Sequence, residues 1–66
     1  MIANFYKTYS NHTTEPVLII TKNIAEIPPV RTTVIYKGER FKVESCEFDL
    51  NTCEYNVYLI GYRYYT

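Results

Sequence analysis

The chain has no tryptophan, one histidine, two glycines and two cysteines in 66 residues. Each shortage removes a class of function. His12 is the only imidazole, and Cys46 and Cys53 stand seven positions apart. No C-x-x-C or H-x-x-x-H spacing exists, so the pattern of a zinc site is missing. Gly38 and Gly61 cannot build a phosphate-cradling loop, and neither G-x-S-x-G nor H-E-x-x-H occurs. His12 lies among turn-forming residues with no orienting partner nearby in sequence, the setting of a surface histidine rather than of a general base. No catalytic residue, cofactor or metal is therefore expected. Charge of one sign is also lacking, because seven Lys plus Arg balance seven Asp plus Glu. That argues against a phosphate-driven nucleic-acid binder and against a polybasic membrane anchor. The longest apolar run, residues 17–20, is far short of the roughly 18 residues of a membrane helix.

What the chain does have is side chains suited to strands. Val, Ile, Thr, Tyr and Phe make up 31 of the 66 residues, whereas Ala, Leu, Met and Gln make up six. Branched and aromatic side chains fit a pleated, half-buried surface and lose rotamer freedom on a helix. An apolar fraction of 47% is too high for disorder. The expectation is one small all-β domain spanning residues 1–66, of about five antiparallel strands in a curled meander or a small, partly open barrel. A core this small supplies only about 3–5 kcal/mol, so a partner subunit is expected to add support. The opening residues carry no apolar h-region. Reduced cysteines and a cytoplasmic location follow as expectations.

Along the chain, residues 2–9 read as a first strand and residues 10–16 as a loop, in which Asn11-His12-Thr13 matches a glycosylation triplet. Residues 17–21 read as a short strand covered on both faces. Thr21 or Asn23 is expected to cap one helical turn through Ile24-Ala25-Glu26, stopped by Pro28-Pro29. Residues 32–37 and 40–44 form a hairpin, with its two-residue loop at either Gly38-Glu39 or Lys37-Gly38. The apolar phase then switches from odd positions (Phe41, Val43) to even ones (Cys46, Phe48), which predicts a bulge near Ser45. A turn at residues 49–52 leads to the last strand, residues 53–65, with Tyr55, Val57 and Leu59 on one face and Tyr58, Ile60, Tyr62 and Tyr64 on the other. A four-residue loop sets the cysteines diagonally, about 7 Å or more apart. A two-residue loop at Asp49-Leu50 sets them opposite and makes a disulfide feasible, buried free thiols being the default. The stretch Pro-Pro-Val-Arg-Thr-Thr-Val-Ile-Tyr-Lys-Gly at residues 28–38 resembles the strand and turn that open an SH3-like barrel.

A strand apolar on both faces is either central or half-covered by another molecule. Tyr58, Ile60, Tyr62, Arg63, Tyr64 and Tyr65 are therefore the candidate interface, since Tyr and Arg provide rigid contact area and polar tips. Glu44, Glu47, Asp49 and Glu54 form a candidate acidic rim. A homodimer through this strand would remove an exposed edge and enlarge the core. The same aromatics fit a second reading, a base-stacking platform for nucleic acid or a nucleotide, but acidic residues are interleaved with Lys37, Arg40 and Lys42. Small size, neutral charge, no catalytic constellation and a Tyr-rich strand together resemble small phage-encoded proteins that inhibit a host enzyme or a bacterial defence system. The resemblance implies a non-enzymatic protein that blocks a larger one by steric occlusion.

Overall fold

The computed structural model describes residues 1–8 and 15–61, which form five strands and no helix. The strands are β1 (Ile2–Thr8), β2 (Val17–Asn23), β3 (Thr33–Tyr36), β4 (Glu39–Asp49) and β5 (Glu54–Gly61). They make one curled sheet in the order β2-β1-β5-β4-β3. The all-β, partly open barrel expected from composition is what forms. Its sheet is mixed, because β1 and β5 run parallel with Ala3 opposite Tyr55 and Phe5 opposite Val57. The other three neighbouring pairs are antiparallel.

The curl follows from two bulges. In β4 the pairing with β5 skips a residue between Val43 and Ser45, so Glu44 is extra. That skip lets odd Phe41 and Val43 share a face with even Cys46 and Phe48, as the change of apolar phase requires. In β2 the pairing jumps from Phe5↔Ile20 to Tyr6↔Leu18, leaving Ile19 extra. On the concave side Ala3, Phe5, Phe41, Val43, Val57 and Leu59 form a buried core, with Ile19, Ile20, Ile24, Ile27, Val34, Tyr36 and Tyr55 packed around it. Each large side chain fully buried there contributes about 1.5–3 kcal/mol of transfer free energy.

The hairpin between β3 and β4 uses the Lys37-Gly38 loop, with Tyr36 opposite Glu39 and Val34 opposite Phe41. Both loop residues have positive φ, 51° and 79°, the primed turn whose twist matches the strands. The second turn falls at residues 50–53, one position later than expected, with Asp49 opposite Glu54. Asp49 Oδ1 accepts from the Asn51 N–H at 2.9 Å, and the Cys53 N–H donates to the Asp49 carbonyl at 2.8 Å.

Four local expectations are corrected. Residues 17–21 are not covered on both faces: β2 is an edge strand, and Val17 and Leu18 are half exposed. No helical turn follows it, because both candidate caps are used within the sheet. The Thr21 hydroxyl donates to Asn4 Oδ1 at 2.7 Å, and Asn23 Oδ1 accepts from the Met1 ammonium at 3.0 Å. Cys46 pairs with Val57 while Cys53 sits in the turn at φ 58°, so the cysteines are neither diagonal nor opposite. Both thiols are free, and both are exposed rather than buried. Among the described residues no helix is long and apolar enough to cross a membrane.

Candidate functional site

β5 is the middle strand of the five, which accounts for its two apolar faces. Its concave side feeds the core through Val57 and Leu59. On its convex side Tyr58 lies beside Tyr6 of β1, held there by the parallel register that sets Tyr6 opposite Tyr58. The two rings stack at 5.3 Å between centroids and 22° between planes. The Tyr58 hydroxyl donates to Glu47 Oε1 of β4 at 2.9 Å. Burial, this hydrogen bond, the Glu47 charge and Tyr6, in that order, push the Tyr58 phenol up to about 12.

Beside the ring pair is a polar ladder. Asn4 Nδ2 donates to Glu54 Oε1 at 2.9 Å and to Asn56 Oδ1 at 3.1 Å, while its own carbonyl receives the Thr21 hydroxyl. Glu54 stands directly across from Asp49. Like charges opposite one another in a sheet are destabilising. Three carboxylates, Glu47, Asp49 and Glu54, therefore share the convex face with two stacked tyrosines. A face of this composition accepts ammonium or guanidinium groups, by charge and by ring contact.

Of the residues expected at an interface, Tyr58 is on this face and partly buried. Ile60 shares the face of Tyr58 by register but is only 5% exposed, and it lies outside the concave core cluster. Tyr62, Arg63, Tyr64 and Tyr65 lie outside the described residues, as do His12 and the Asn11-His12-Thr13 triplet. Glu47, Asp49 and Glu54 come together, whereas Glu44 is the extra residue of the β4 bulge. Edge-to-edge pairing through β5 with another copy is closed to residues 54–61, because β1 and β4 occupy its two sides. Sequence reading missed Tyr6, Asn4 and Asn56. Their alternation with Phe5 and Val57 was visible, but the parallel β1–β5 pairing that unites them was not.

Opposite this face, the concave side holds an apolar cleft of about 270 Å³ between the two sheet edges, lined by Phe5, Ile19, Ile20 and Lys22 on one side and Val34 and Tyr36 on the other. Among the described residues no three His, Cys, Asp or Glu side chains are grouped to hold a metal ion. No protein-family model, curated protein or solved structure matches the chain.

Proposed function

We propose that the chain is a non-enzymatic protein-binding module that acts by covering part of a larger partner with its convex face. The observation that supports this reading is the stacked Tyr6–Tyr58 pair bordered by Glu47, Asp49 and Glu54. The rings provide contact area that can be desolvated, and the carboxylates select a basic partner surface. Asp49 facing Glu54 costs stability in the free chain, a cost that a cationic partner group would relieve. Occlusion of a host enzyme or defence protein is the form the activity takes on the resemblance to small phage-encoded inhibitors. Nucleic acid is disfavoured at this surface, since a phosphate approaching the rings would meet Glu47 first.

The test is capture from a bacterial lysate with tagged chain. Wild type and a Lys37→Gln control are expected to retain the same protein, and Tyr58→Ser combined with Glu47→Lys to lose it. Undiminished capture by that double variant, or tight salt-sensitive binding of an oligonucleotide, overturns the reading.

A further inference from the structure

The free edge of β2 has two properties that together specify what fits it. The first is its pattern of open main-chain groups. Met1 and Ile24 exchange both hydrogen bonds, at 2.8 and 3.0 Å. Antiparallel pairs alternate between bonded and unbonded. Ile20 and Lys22 therefore turn their main-chain groups toward β1, and Thr21 turns its own outward. Beyond the bulge the alternation along β1 assigns Val17 inward and Leu18 outward. The second property is phase. Val17 opposes Lys7 and Ile20 opposes Phe5, so both side chains are on the concave face although one position is odd and the other even. A regular strand laid along β2 loses face matching at Ile19. A second, antiparallel β2 carrying the same bulge keeps it on both sides.

We infer that the outer edge of β2 pairs with the β2 of a second copy, about a two-fold axis passing between Ile19 and Ile20. In that register Leu18 and the partner's Thr21 exchange hydrogen bonds through their outward groups, twice by symmetry. Val17 is set opposite the partner's Lys22 and Ile19 opposite the partner's Ile20. Val17 and Leu18, about half exposed in the single chain at 50% and 51%, become covered. Charge fits as well. Glu15 and Lys22 are exposed and have no charge partner among the described residues. Across the pair each Glu15 is the diagonal neighbour of the partner's Lys22, about 7–8 Å between Cα atoms and within reach of both side chains. No like charges stand opposite one another, and zero net charge leaves no long-range repulsion between copies. The result is a continuous ten-stranded sheet. The dimer is independent of what the convex face binds, since that face stays open on both copies.

Sedimentation equilibrium and amide hydrogen exchange test this. Wild type is expected to be a dimer whose Leu18 and Thr21 amides become more protected as concentration rises. Glu15→Lys alone and Lys22→Glu alone, both at exposed positions, are each expected to weaken the dimer about tenfold. An equimolar mixture of the two variants is expected to restore it, because the reversed charges then meet their opposites. A monomeric wild type overturns the inference. So does a dimer that neither substitution weakens, a mixture no tighter than either variant alone, or concentration-dependent protection confined to β3.

Discussion

The Tyr58 hydroxyl lies 2.9 Å from Oε1 of Glu47, and this one bond ties the middle strand of the sheet to the bulged strand β4 three positions past its extra residue, Glu44. Burial raises the energy of the phenolate most, and this bond and the charge of Glu47 raise it further. The folded chain thus holds the Tyr58 proton to about 12, against an ordinary value of 10. A group whose pKa is raised by folding contributes its full stability below the unfolded value and loses it as pH rises through the folded one. Urea midpoints are expected to hold up to about pH 10 and to fall between about 10 and 12. Tyr58→Phe is expected to flatten part of that fall, and Glu47→Gln to move one late tyrosine part of the way back toward the ordinary range of an ultraviolet titration, burial still holding it above that range. An unchanged titration in both variants would refute the coupling.

Leu59 is fully buried at the centre of the core, while Leu50 at the tip of the second turn is 80% exposed. Leu59→Ala is expected to cost about 3 kcal/mol, most of what so small a core supplies. Leu50→Ala is expected to change stability by less than about 0.5 kcal/mol. Thermal denaturation followed by circular dichroism measures both.

Gly38 has φ +79°, and a methyl group added there would meet nothing within 4 Å. Gly38→Ala therefore isolates the backbone cost of the left-handed conformation, about 1 kcal/mol with no packing contribution. A denaturant titration returning no loss would show that the turn relaxes to another type.

Burial first, then the neighbouring Glu47, raises the Cys46 thiol above its usual range. At pH 8 its alkylation by iodoacetamide is expected to run slower than that of a small free thiol, and Glu47→Gln is expected to speed it up. Intact-mass spectrometry under non-reducing conditions is expected to show two alkylatable cysteines and no disulfide.

Periodicity along the sequence reported faces well and neighbours poorly. The phase switch from Val43 to Cys46 is a property of a single strand, so the bulge at Glu44 was legible before any partner was known. The shared face of Val34, Tyr36, Phe41 and Val43 was legible for the same reason, whichever loop closed the hairpin. The pairing of Tyr6 with Tyr58 depends on two segments fifty-two positions apart choosing each other, and nothing local encodes that choice. Residues 17–20 misled in a related way. Four apolar residues in a row suggested cover on both faces, whereas the bulge at Ile19 turns Val17 and Ile20 to the same side and leaves Leu18 half exposed at an edge. The acidic residues were singled out individually, but their convergence on one face with two stacked rings required the sheet order.

The position of β5 between β1 and β4 also sets a timetable for the chain. The segments β1–β2 and β3–β4 are each local hairpins, and isolated two-stranded hairpins are marginally stable in water. The strand that joins them is the last of the five in sequence, and its contacts with β1 close a loop of about fifty residues. On a ribosome, four strands therefore emerge before the one that makes them a single body, and a chain ended before residue 54 would leave two hairpins with no shared core. Folding is expected to be slow for so short a chain, and governed by when β5 arrives rather than by how well either hairpin forms alone.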